Sequence, residues 1–215
     1  FEGLSESKAA LRRQEQRALL RRIGDIARER EADMVLLSGD LLDTGSAYRE
    51  TAATLCQALG DMKVPVFIAP GNHDFYSPRR PWARLDLPEN VHVFRENRIT
   101  RVYLPELDTE VFGAAFTDEG CAPLLRDFEA GENPENHLRL MCIHGEVGSG
   151  EGKYDPITEQ DIAKSGMHYV ALGHSHSCSG LRRAGDVFYA WPGCAEGRGF
   201  DECGEKGFVK LEIDE

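Results

Sequence analysis

Four short polar clusters recur along the chain, and each stands immediately after a run of apolar residues. Gly39-Asp40-Leu41-Leu42-Asp43 follows Met34 to Leu37, and Gly71-Asn72-His73-Asp74 follows Val64 to Ala69. His144-Gly145-Glu146 follows Leu138 to Ile143, and Gly173-His174-Ser175-His176 follows Tyr169 to Leu172. Short apolar runs bounded by turn residues read as buried strands. In an open α/β sheet the carboxyl ends of parallel strands converge on one crevice, so groups far apart in sequence meet there. The pattern therefore predicts one pocket of nitrogen and oxygen donors built from Asp40, Asn72, His144, His174 and His176.

The sequence between the clusters fits that frame. Residues 7–31 place Leu11, Leu19, Leu20, Ile23, Ile26 and Ala27 on a helical period among many charges, which predicts an amphipathic surface helix leading into the first strand. A second helix over 46–60, with Tyr48, Ala52, Leu55 and Leu59 on one face, passes the chain to a strand at 64–68. Further strands are expected over 91–94, 99–104, 111–116, 138–143 and 169–172, then a hairpin over 181–191 and a last strand over 207–213. So many strands predict an α/β architecture of two mixed sheets packed face to face with helices outside. A length of 215 residues suits a single domain, here 1–215, with a real core.

Composition narrows the function classes. The 41% apolar and 29% charged content is that of a globular domain. No apolar run approaches the ~20 residues that span a bilayer, and no signal-peptide pattern opens the sequence, so the expectation is a cytoplasmic protein without membrane contact. The six cysteines, Cys56, Cys121, Cys142, Cys178, Cys194 and Cys203, contain no C-x-x-C pair and read as free thiols. A net charge of −12 argues against a broad non-specific nucleic-acid surface. It leaves a phosphodiester substrate open, because two divalent cations would add about four positive charges where that substrate binds. Arg79, Arg80 and Arg84 around Trp82 form a compact basic-aromatic patch, either a surface for a nucleic-acid strand or a solvated loop over a buried Trp. Arg198, between Gly197 and Gly199, reads as a phosphate-binding residue or as part of a simple surface turn.

Taken in order, G-D-x-x-D, G-N-H-D, a strand-ending His before Gly, and G-H-x-H resemble the calcineurin-like metallophosphoesterases. The Leu-Leu-Ser-Gly-Asp-Leu-Leu-Asp and Val-Pro-Val-Phe-Ile-Ala-Pro-Gly-Asn-His-Asp stretches, with the glycine-rich tail from Trp191, resemble the bacterial DNA-repair exonucleases of the SbcD and YhaO type. The resemblance implies a four-layer α/β/β/α sandwich around a dinuclear centre. Asp40 would bridge the two ions, Asn72, His144 and His174 would complete one site, and His176 would belong to the other. Mn²⁺ is the expected cation, with Fe²⁺ or Zn²⁺ as alternatives, since these ions accept imidazole nitrogen and carboxylate oxygen. His73 resembles the family's substrate-facing histidine, with Asp74 either orienting that ring or simply forming the turn.

The implied activity is metal-assisted phosphodiester hydrolysis, with DNA as substrate and a coiled-coil ATPase as a possible partner. The alternatives are a phosphatase or nucleotide phosphodiesterase, and a metal-poor binding module of the same fold. One departure bears on these. The family opens with a D-x-H motif on its first strand, whereas this sequence contains no D-x-H and starts at Phe1-Glu2-Gly3-Leu4. The expectation is a sequence lacking that first strand, which leaves the second ion only His176 and the shared Asp40. His92, His137 and His168 match no motif and read as structural or solvent-facing.

Overall fold

Alternation along a central strand explains how the layers stack. In β2 (Val66–Ile68), Val66 and Ile68 point one way and Phe67 the other, and all three are buried. β2 lies between β1 (Val35–Leu37) and β3 (Val91–Val93), parallel to both. A computed structural model describes residues 5–42, 49–197, 202, 204 and 206–213. The outer face of this sheet packs on α1 (Glu6–Glu29) and α2 (Arg49–Asp61), through Leu20, Ile23, Leu55, Leu59 and Met62. Gly24 of α1 is buried where the two helices cross, with the Ala58 carbonyl directly below it. Leu11, assigned to the apolar stripe by its spacing, remains 55% exposed.

The opposite face, carrying Leu36 and Phe67, meets a second sheet through Phe94, Val111 and Cys142. That sheet contains β4 (Thr100–Leu104), β5 (Thr109–Gly113) and β6 (Leu138–His144). After a small parallel pair, β7 (Glu146–Val147) and β8 (Pro156–Ile157), and a short helix α3 (Glu159–Lys164), it continues with β9 (Tyr169–Gly173), β10 (Arg182–Ala184) and β11 (Val187–Ala190). Its order is β10-β11-β9-β6-β5-β4, mixed in direction, while the first sheet is parallel throughout among the described residues. Met141, Ile143, Val170 and Leu172 point away from the first sheet and pack with Ile162 of α3. The order is thus helices, sheet, sheet, and a layer of α3 with irregular segments: the four-layer sandwich expected. No helix among the described residues is long and apolar enough to cross a membrane.

One expectation needs correction, and one element had none. Residues 207–213 form no strand; Val209 and Leu211 bury against Leu140 and Tyr169 while Phe208 and Ile213 stay exposed. Their alternating pattern reports one-sided burial, which needs no ladder pairing. Helix α3 has no sequence expectation because six residues are too few to show a period. Its signal is local: Thr158 accepts from the Asp161 N–H and the Asp161 carboxylate accepts from Thr158, a reciprocal cap.

Candidate metal centre

Because β1, β2, β6 and β9 run parallel within their sheets, the four polar clusters leave the same end of the sandwich. Beyond β1 the chain turns through Gly39 (φ 88°) and Asp40 (φ 55°), both left-handed. This conformation is costly for a residue with a side chain, and Asp is among the few that tolerate it. Asp74 holds it in place. Fully buried, its Oδ1 accepts the Asp40 and Gly71 N–H groups at 3.0 and 2.8 Å, and its Oδ2 accepts those of Leu41 and Leu42 at 3.0 and 3.3 Å. The two strand-end loops are therefore laced together by one carboxylate. Of the two readings of Asp74, orienter of His73 or turn former, these contacts favour the turn former, because both oxygens accept backbone donors. Burial, and then the charge of Asp40, push its carboxyl upward, while the backbone donors oppose them.

His144 arrives from the other sheet, 1% exposed at the end of β6. Its Nδ1 donates to the Ser38 carbonyl at 2.8 Å, which leaves the lone pair on Nε2. Nε2 lies 3.0 Å from Asn72 Oδ1 and 3.3 Å from Asp40 Oδ2. Two oxygens thus face the Nε2 lone pair, an arrangement that repels unless a proton or a cation sits between them. Burial lowers the His144 pKa first of all, which disfavours the proton. Ligands at about 2.0–2.2 Å from one ion stand roughly 3 Å apart, so these three donors fit a divalent cation. Glycines permit the approach. A side chain at Gly71 would overlap Asp40 Oδ1 and the His144 ring, and one at Gly173 would overlap the Ser38 carbonyl.

His174 stands edge-on to His144, with ring centroids 5.3 Å apart and its own φ at 96°. Burial, then the neighbouring His144, lower its pKa. Tyr154, which no sequence motif marked, covers its other side at 5.0 Å. Among the described residues, no group of three His, Cys, Asp or Glu side chains is already closed around one point. The converging trio includes an Asn.

A sequence profile of the calcineurin-like phosphoesterases matches residues 12–178. The chain belongs to this family. Among relatives of this calcineurin-like phosphoesterase is the metallophosphoesterase YhaO of Bacillus subtilis, 29% identical over 91% of this chain and 49% of its own length. The DNA double-strand break repair protein Mre11 of Saccharolobus solfataricus is 24% identical over 71% of this chain and 41% of its own. The chain therefore spans half or less of the length of these relatives. The crystal structure of TT1561 of Thermus thermophilus shares the fold, with a TM-score of 0.55 and 15% identity over 82% of this chain and 83% of that one.

The remaining expected residues of this calcineurin-like phosphoesterase are less closely gathered. His176 is exposed, and its Nδ1 lies 2.5 Å from Oε1 of Glu202, a partner that sequence reasoning missed. His73 is exposed at the rim and donates its backbone N–H to Asp40 Oδ1 at 2.9 Å. Arg80 donates to the His73 carbonyl at 3.3 Å and lies 3.8 Å over the Phe75 ring. Trp82 is 2% exposed and offers no face to a base, so the arginine patch is the solvated-loop alternative in that respect. Arg198 and Asp43 lie outside the described residues. A cavity of about 420 Å³ opens beside His174, lined by Glu146, Ser177, Arg182 and Trp191 among others. Cys56, Cys121, Cys142, Cys178 and Cys194 are free thiols, and burial raises the Cys142 thiol to about 11.

Proposed function

We propose that this calcineurin-like phosphoesterase is a phosphodiesterase that needs divalent cations and acts on DNA. The observation that carries the reading is the approach of Asn72 Oδ1 and Asp40 Oδ2 to His144 Nε2, at 3.0 and 3.3 Å, at the strand ends. A divalent cation, Mn²⁺ by preference and Fe²⁺ or Zn²⁺ otherwise, supplies positive charge toward a phosphate oxygen and makes water acidic enough to react near neutral pH. Asp40, Asn72, His144 and His174 would hold that ion. A second ion would draw on the shared Asp40 and on His176, which must first leave Glu202. His73, at the rim beside Asp40, hydrogen-bonds the phosphate or delivers a proton to the departing oxygen. DNA as substrate is supported by similarity to an Mre11 protein over 71% of the chain. A coiled-coil ATPase partner belongs to the same reading and rests on the resemblance of motifs alone, while a cytoplasmic location is the expectation drawn from the sequence composition.

A nucleotide phosphodiesterase is the second reading, favoured by the cavity beside His174, whose volume of about 420 Å³ suits a small ligand. Hydrolysis of bis(p-nitrophenyl) phosphate against the monoester, with Mn²⁺ and then with EDTA, tests both, and His144→Ala is the control. Diester preference lost with EDTA and with His144→Ala is the expected result, and labelled DNA against cyclic and linear nucleotides then separates the two substrates. Failure to take up a cation or cleave either ester would replace both readings with a binding module of this fold.

A further inference from the structure

A second cavity, of about 400 Å³, lies between residues 97–99, just before β4, and the loop 122–128 that follows β5. Its chemistry is divided. Ile99, Leu124 and Phe128 give it an apolar and aromatic wall, Phe128 being held from behind by an edge-on contact with Phe112 at 6.0 Å. Arg98, Arg126 and Asn97 give it donors. Each of the three is already steadied by one interaction and keeps others to offer. Arg98 Nε binds Glu96 at 2.6 Å, Arg126 donates one terminal nitrogen to the Gly150 carbonyl at 2.9 Å, and Asn97 Oδ1 accepts the Cys121 thiol at 3.0 Å, leaving the amide N–H₂. One acidic residue, Asp127, also lines the cavity, so its lining carries two guanidinium groups against one carboxylate.

The cavity is joined to the metal centre by contacts. Cys121, bonded to Asn97, pairs through its backbone with Lys153 and Asp155, and the intervening Tyr154 ring rests on His174. β4 and β5 are antiparallel, so the start of β4 and the end of β5 share the end of the sheet at which His144 stands.

A planar apolar wall beside two guanidinium groups and a side-chain amide is the combination that recognises a nucleotide. The ring surface stacks on aromatic and aliphatic side chains, the arginines take the phosphate, and the amide meets the base edge. We infer that this cavity is an accessory nucleotide site, which holds one nucleotide of a single strand while a neighbouring phosphodiester reaches the metal centre. The inference deepens the phosphodiesterase reading and rests on it for the strand as source.

The test is binding in EDTA, which removes hydrolysis. Thymidine 5′-monophosphate, a short oligothymidylate and inorganic phosphate are titrated separately into protein labelled at Ile and Leu methyl groups. Nucleotide should shift the Ile99 and Leu124 methyls and spare Ile162, which is buried on the inner face of α3. Arg98→Ala combined with Arg126→Ala should weaken that binding about tenfold or more. Arg98→Ala alone, at an exposed position tied to Glu96, provides the version that folds. Tighter binding of the oligonucleotide than of the monophosphate identifies a strand; equal binding identifies free nucleotide and keeps the site. Shifts elsewhere, undiminished binding in both variants, or equal competition by inorganic phosphate would overturn the assignment. Hydrolysis of bis(p-nitrophenyl) phosphate by the wild-type protein is scored apart, so binding without hydrolysis sinks the phosphodiesterase reading and leaves a nucleotide site without the strand as its source.

Discussion

At the scale of single residues, buried carboxyl groups make the sharpest predictions. Asp74→Asn replaces an oxygen that accepts two backbone N–H groups with an amide that can only donate, so donors face donors in the core. A loss of about 2–4 kcal/mol in denaturant unfolding is expected, with weaker Mn²⁺ uptake. Asp155 is opposite in sign. Its Oδ1 accepts the Leu124 N–H, its Oδ2 has no hydrogen bond, and burial raises its carboxyl to about 7. The folded chain thus holds this proton more tightly than the unfolded chain, so the penalty is absent below the ordinary value of 3.8 and complete above about 7. Asp155→Asn should therefore stabilise the protein by about 1–3 kcal/mol at pH 8 and add nothing near pH 4, as read by paired melts. His137 reports on the opposite rise. Burial works against its charge, but Asp108 at 2.6 Å and Glu135 at 2.7 Å outweigh burial and raise its pKa. Its contribution is present below the ordinary value of 6.5 and lost as pH climbs through the raised one, a slope that His137→Gln should erase.

Elements decide how far such residues can be read from sequence. Asp40, Asn72 and His144 were legible because a glycine-punctuated polar cluster follows a short apolar run in each case, and parallel strands bring those ends together. The role of Asp74 was not legible, since its partners are backbone N–H groups, which carry no sequence signature. Tyr154 and Glu202 escaped notice for a related reason: both lie in irregular segments where no period ties position to facing. The Asn97–Phe128 cavity is assembled from two loops, so only the folded chain displays it. At β9 the close fit gives its own prediction. Gly173→Ala must displace the Ser38 carbonyl or His144, so a loss of about 1–3 kcal/mol in thermal unfolding is expected together with reduced cation affinity by titration calorimetry.

For the whole molecule, the two sheets meet so that one contributes carboxylate and amide and the other contributes imidazole. Under the proposed action on DNA, a chain of net charge −12 would bind a polyanion against its own field. Binding of single-stranded DNA should therefore strengthen on addition of Mn²⁺ and fall steeply with salt, as fluorescence anisotropy across a salt series would show. The lacing by Asp74 also carries a consequence for the order of synthesis. Everything that this carboxylate ties together lies between residues 40 and 74, whereas the imidazole that meets them is residue 144. On the ribosome, the oxygen half of the pocket can close while its nitrogen half is still untranslated, so a growing chain has little grip on passing ions until most of the sandwich has been made.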